Sequence, residues 1–449
     1  MRRAAIAALT LAASAGIPAT AQTVAPEAAV LTPERTEVTP GATLTARISQ
    51  SIEADTNYSL DDPSPGTSYY GDTRAALDYL RESPDQTFGL GVDVGVRPLA
   101  EAGQDFEVVV ASPSTAYLTF GQEGPNTAFN ADLNARTRQV DASTADFVDT
   151  DGDLIPDTLQ QGQRDTREQR LNADIDFTLG TNSPSTYEFS LVATSLDYTN
   201  NADTDLVAND TFEGQALWTL AITPVFSAAL FGGYTFYTAE DDIDSELNIA
   251  EAEAGMVYQP DPNLRLRGGI GYADRHREGD DLTTGERHTI QDDQGLTLRG
   301  DVLYRLPSFT LVGNARWTAA APSERLTGAL LGVYNLPRGR LRGRVFQNYV
   351  GGRSGDEERV TGASIGLTRD INTLSRVGLD FAYATQVNQD DPTEPDIDRT
   401  DLTLSYGYDF TDAISAEVGY TFRNRVEDPE NATSNRFYFV IGRDFVTGL

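Results

Sequence analysis

The chain reads as an all-β protein, a transmembrane antiparallel β-barrel of about 20 strands within a range of roughly 16 to 22. Three observations lead there. From about Thr45 to Phe445, apolar and polar residues alternate in stretches of roughly ten, the length a tilted strand needs to cross a bilayer. The opening residues have the form of an export signal. The connections are of two kinds, short ones rich in Pro and Gly and longer acidic ones.

Taken in order, residues 1–21 form the signal. Arg2 and Arg3 supply the positive start, Ala4 to Ile17 the apolar stretch, and Ala19-Thr20-Ala21 a small-x-small cleavage site before Gln22. Losing Arg2 and Arg3 takes the formal net charge from −34 to −36. Residues 22–42 read as a periplasmic linker, which Pro26, Pro33 and Pro40 keep extended. Residues 43–449 are then one barrel. Phe88, Leu90, Val92, Val94 and Val96 interleave with Gly89, Gly91, Asp93, Gly95 and Arg97. Leu171, Ala173, Ile175, Phe177 and Leu179 interleave with Asn172, Asp174, Asp176 and Thr178. Leu402, Leu404, Tyr406, Tyr408 and Phe410 interleave with Thr403, Ser405, Gly407 and Asp409. A period of two puts one set on each face, the apolar set toward lipid and the polar or glycine set toward water. The stretch 98–122 divides less cleanly: Asp105 to Ala111 reads as a strand of its own, part of a longer one, or loop.

The short turns fall at 83–85, 124–126, 180–184, 223–224, 259–263, 306–308, 336–339, 370–373 and 411–413. Their Pro, Gly, Asn and Asp supply the restricted or positive φ that tight hairpins need. The long connections, 54–66, 141–168, 238–246, 275–291, 351–357 and 386–397, are acidic. Short periplasmic turns and longer outer loops are the usual arrangement, which sets the orientation. Tyr258, Tyr304, Tyr334 and Tyr408 stand just before short turns, while Trp218, Trp317, Tyr272, Tyr349, Tyr383 and Tyr420 share the apolar phase elsewhere. Amphipathic rings at strand ends suit an interfacial girdle.

Composition narrows the function. Mean hydropathy is −0.37, and beyond the signal nothing approaches the ~18 apolar residues of a membrane helix. A barrel passes that test because only alternate residues need be apolar. With no cysteine, disulfides and thiolate metal sites are excluded. All 34 basic residues are arginine, against 68 acids, which argues against a nucleic-acid partner.

Several motifs make the chain resemble the Gram-negative outer-membrane barrels catalogued as β-barrel porin type 2. They are Ile48-Ser49-Gln50-Ser51-Ile52, Asp55-Thr56-Asn57-Tyr58-Ser59-Leu60, Thr87 to Val92, and Pro113 to Phe120, followed by the closing hairpin. The resemblance spans nearly the whole mature chain and implies an outer-membrane barrel without defining its substrate. The C-terminus departs from the usual pattern. Phe437, Phe439, Ile441 and Phe445 alternate as expected, but Val446-Thr447-Gly448-Leu449 follows in place of a final aromatic read by the insertion machinery.

Three groups of residues could carry chemistry. Asp149, Asp151, Asp153 and Asp157 alternate in an acidic loop and offer the hard oxygens Ca²⁺ takes. Leu154 and Gln160 stand where an EF-hand places Gly and a bidentate Glu, so the expectation is weak calcium binding or a solvated loop, and no other cofactor. On the polar phase, Arg265, Arg267, Arg340, Arg342 and Arg344 face acids at Glu251, Glu253, Asp174 and Asp176. These nine read as pore-lining, either tuning selectivity or bracing the barrel with internal ion pairs. His276 and His288 fall in one outer loop, where no triad is discernible, so no enzyme is expected. The leading reading is a porin-type channel of the outer membrane for small polar solutes or saccharides. Its alternatives are a barrel for surface-polysaccharide export or assembly, and an outer-membrane hydrolase. The expected partners are outer-membrane lipid, lipopolysaccharide, the insertion machinery, and a polar solute or polysaccharide.

Overall fold

The computed structural model describes residues 41–448, except 59, 61, 103–105, 111–112, 140–165, 200–206, 242, 281–285, 321–323, 352–356, 390–394 and 428. Its 22 strand segments form one antiparallel sheet, and the last, Glu430–Gly448, returns to pair with the first, Gly41–Asp55. That seam closes the sheet on itself, as a sheet in lipid requires. Two segments add no stave. Ser68–Tyr70 and Thr73–Glu82 keep one register against Gly41–Asp55, so they are a single stave interrupted at Gly71 and Asp72. Glu107–Val110 runs beside the outer end of Gln86–Ala100, and Ser114–Glu123 beside its inner end, out of register with each other. The barrel therefore has 20 staves, and the awkward stretch around residue 107 is a slipped continuation of one of them.

Large apolar side chains lie exposed on the outer face. Leu90, Val94, Leu191, Ile270, Leu296, Val345 and Phe439 are among them. In water such a continuous surface would aggregate, whereas in hydrocarbon it is the stabilising face. Its two borders are built differently. At the short-turn end, aromatics meet across the turn: Tyr79 with Phe88 at 6.1 Å, Phe120 with Phe129 at 6.1 Å, Phe177 with Phe189 at 6.3 Å and Tyr304 with Phe309 at 6.4 Å. Each such pair contributes about 0.5–1.5 kcal/mol beyond burial. At the other border, tyrosine hydroxyls donate to polar side chains on the neighbouring strand. Tyr234 reaches Asn248 at 2.6 Å, Tyr272 reaches Gln294 at 2.8 Å, Tyr383 reaches Asp398 at 2.8 Å and Tyr420 reaches Asn435 at 2.7 Å. The girdles read from the sequence are present, and these phenols mark where the lipid band ends.

Three expectations need correction. The connection 275–291 is mostly strand, because Leu264–Asp280 and Arg287–Leu306 run 17 and 20 residues. That is longer than the ~9–11 a membrane crossing needs, so this hairpin projects past the band. His276 and His288 consequently sit on paired strands, opposite Asp292 and Gly279, and not in a loop. Polar and charged residues from 274 to 292 hid the strand because alternation there no longer separates lipid from water. Finally, the inner face is not uniformly polar. Ala329, Leu331, Val333, Phe346, Val360 and Ala384 form a buried apolar cluster on it, and Phe231 is buried there too.

Glycines on the inner wall allow side chains to lie flat. Tyr117 crosses Gly91 to donate to Asp78 at 2.9 Å, and Tyr438 crosses Gly419 to donate to Glu417 at 3.1 Å. A Cβ at either glycine would occupy the space of the ring.

Candidate functional site

The polar face of the sheet carries charge unevenly, although Arg136, Arg138 and Arg170 share the acidic staves nearer the outer mouth and Asp301 stands among the arginines. On consecutive staves Thr127–Gln139, Arg167–Leu179 and Ser185–Thr199 stand Asp132, Asp174, Asp176 and Glu188, with Asp132 directly opposite Asp174 in the ladder. Farther round, from Leu264–Asp280 to Gly339–Gly351, the same face carries Arg265, Arg267, Arg299, Arg316, Arg340, Arg342 and Arg344. The sectors sense each other. Glu188 lies within electrostatic reach of Arg265 and Arg267, and Arg316 within reach of Glu213.

The nine residues read as pore-lining all occupy this face, but they do not behave alike. Arg267 is paired with Glu253 at 3.2 Å, has Asp301 at 3.8 Å, and stacks over the Phe231 ring at 5.5 Å. Arg299 covers the same ring at 5.2 Å and pairs with Asp301 at 3.3 Å. Glu251 forms an ion pair with Arg316. Glu251, Glu253 and Arg267 thus belong to a neutralised island around a buried aromatic, where planar guanidiniums both stack and pair. Arg265 is half-buried below that island.

The Arg340–Arg342–Arg344 ladder is graded. Arg340 and Arg342 are exposed, whereas Arg344 is buried, 5.6 Å over the Phe346 ring. Arg342 converges with Asp380 over Gly366, where a Cβ would stand 2.5 Å from Asp380 Oδ1 and 3.9 Å from Arg342 Nε. In the acidic sector Asp176 is buried and Asp174 half-buried. Asp149, Asp151, Asp153 and Asp157 lie outside the described residues. His276 Nε2 is 3.1 Å from Glu278 Oε1, and its Nδ1 is 3.9 Å from Asp292 Oδ1, an outer-hairpin ion network without a nucleophile in it.

Sequence reading missed the densest site, at the outer mouth. The chain leaves the first strand at Asp55 and folds back along the inner wall. Asp55, Asn57, Tyr58 and Leu60 are 0%, 1%, 2% and 5% exposed, so the connection read as a long acidic outer loop is buried in its first part, while residues 62–65 are exposed. Asp55 pairs with Arg423 and accepts from Ser434, while Asn57 Nδ2 donates to the Thr433 carbonyl at 3.1 Å. Tyr58 packs edge-on against Tyr70 at 5.1 Å and accepts from Arg97 at 3.2 Å. Arg97 also grips Asp72 through two bonds of 2.7 and 2.9 Å. Leu60 closes on Ala432. The signal was available in Asp55 to Leu60, where two apolar residues stand among acids.

No family model matches the chain, and no curated protein does, so the type 2 porin family stays a resemblance of motifs. Solved structures do match. The ferric citrate transporter FecA in its unliganded form aligns over 91% of this chain and 79% of its own, with TM-score 0.51 and 11% identity. The ferric-catecholate import receptor Fiu from E. coli K12 aligns over 92% and 82%, with TM-score 0.47 and 12% identity. The outer membrane channel DcaP of Acinetobacter baumannii aligns over 92% and 100%, with TM-score 0.38 and 13% identity. Identities this low speak to fold and to nothing finer. The closed sheet and its lipid-type outer surface, with the likeness of fold to FecA, make the chain an outer-membrane β-barrel protein.

Proposed function

We propose that the barrel is a porin-type channel for small polar solutes or saccharides, with its selectivity set by a field across the lumen. The observation that carries this reading is the uneven charge of the inner wall, with the acid row Asp132, Asp174, Asp176 and Glu188 on one arc and the exposed Arg340 and Arg342 on another. Opposed charge rows orient dipolar solutes and let ions through unequally. A barrel of ~16 or more staves is also too wide for its own side chains to fill. Exposed Arg340 and Arg342 are the ladder members placed to meet a solute, while Arg344 braces the wall.

The test is planar-bilayer conductance of refolded protein under a salt gradient. An open channel is expected. Changing Arg340, Arg342 and Arg344 together to Gln should shift the reversal potential toward cations, because the positive row that repels them is gone. A barrel that inserts yet passes no current would end the channel reading. A current whose reversal potential ignores the triple change would reassign the ladder to bracing.

A further inference from the structure

We propose that Arg399 and Arg425, on the inner wall near the outer mouth, form a binding site for small oxyanions, the carboxylate or phosphate groups of solutes. Arg399 lies on Ile397–Thr411 and Arg425 on Ile414–Glu427, directly opposite in register, so both side chains leave the same face. The row continues to Ala384 on one side and Ala432 on the other, 1% and 4% exposed. Alanines there leave the two arginines flanked by short side chains.

Arg399 is only 6% exposed, yet its Nε has no hydrogen-bond acceptor among the described residues. Glu427 and Glu358 beside it are held by others. Arg425 pairs with Glu427, Gln386 donates to Glu358 Oε2 at 2.6 Å, and Arg423, one step inward, pairs with Asp55. Asp401, Glu427 and Glu358 act on Arg399 through space, and so does Arg425, with the opposite sign. A buried guanidinium with an unfilled donor beside a second cation is costly in a protein wall. A planar or tetrahedral oxyanion between the two removes both penalties, since each guanidinium can offer it a fork of donors. The row lies toward the outer mouth and the exposed Arg340 and Arg342 near the short turns, so an entering anion meets this site first. Access from outside rests on the channel reading, but binding does not.

The test is calorimetric titration of the refolded barrel at low ionic strength, once with inorganic phosphate and once with glucuronate, beside the conductance measurement. Saturable one-site binding is expected for at least one probe. Binding of phosphate alone selects a tetrahedral anion, and binding of both selects the shared oxyanion chemistry. Arg399→Gln should weaken binding by about tenfold or more, the worth of a charge-assisted hydrogen bond. Arg399→Lys, which keeps the charge and loses the fork, should weaken it too. Arg81→Gln, on the outer surface near the short turns, should bind as wild type does. Heat-modifiable migration on a gel checks folding of each variant. Absence of binding with both probes overturns the site. So does wild-type affinity in Arg399→Gln or, if that variant misfolds, in Arg399→Lys. A barrel that conducts without binding loses this site alone, and one that binds without conducting loses only the channel reading.

Discussion

At the scale of single residues, the two faces of a strand price the same substitution differently. Leu379 points outward between Leu367 and Leu404 and is 37% exposed, while its neighbour Gly378 faces inward between Thr368 and Ser405. Leu379→Arg should therefore cost about 2–4 kcal/mol if it lies near mid-bilayer. Gly378→Arg should cost less, although a Cβ there crowds the Ser405 hydroxyl, which must rotate away. Refolding titrations in lipid measure both, and a larger loss at Gly378 would mean the faces are reversed. Which side each residue takes was legible, since period two needs only local sequence. Partner identity was not. That Arg267 stacks on Phe231, or that Arg342 meets Asp380 over Gly366, depends on register between staves many residues apart.

Elements show where alternation stops being informative. Below the tyrosine border the pattern located strands well, because lipid demands one apolar face. Above it, the hairpin Leu264–Asp280 and Arg287–Leu306 has water on both sides, and the signal disappears. There Glu278 is held below the usual carboxylate range, chiefly by its hydrogen bond with His276 and then by Arg287. A carboxyl depressed in the folded state stabilises above its ordinary value, and that contribution is lost as pH falls through the folded one. Hydrogen-exchange protection at Gly279 and His288 should therefore fade as pH falls below the ordinary glutamate value. The same fading in Glu278→Gln would assign it to other groups. The buried first connection behaves differently. Asp55→Ala removes the carboxylate that the buried Arg423 pairs with, which should cost about 3–5 kcal/mol. Protease should then cut at Asn57 and Tyr58 faster in the variant than in the wild type. Equal resistance in both would mean that Tyr58, Arg97 and Leu60 hold the connection without Asp55.

For the whole molecule, closure is the property from which the rest follows. The first and last strands pair from Thr43 with Gly448 to Asp55 with Arg436, and Arg47 holds Asp444 through bonds of 2.6 and 3.0 Å at that seam. Strand number was legible because each stave announces itself locally. Interrupted staves blurred the count, as at Gly71 and in the slip after Val110. The staves pair on both sides around the closed sheet, so unfolding must break ladders on both sides of a stave. The mature protein should accordingly stay with the outer membrane through alkaline and high-salt washes, where hydrophobic burial is untouched and electrostatic attachment is lost. Unheated in detergent it should migrate as a compact species, and after boiling as a slower, extended one. Weakening the seam tests the cause. Phe439→Pro removes an N–H from the closing strand and clashes with the ladder, so it should abolish the compact band. A wild-type chain released by alkali, or one that migrates identically before and after boiling, would refute the barrel. A compact band that survives Phe439→Pro would place its stability somewhere other than in the seam.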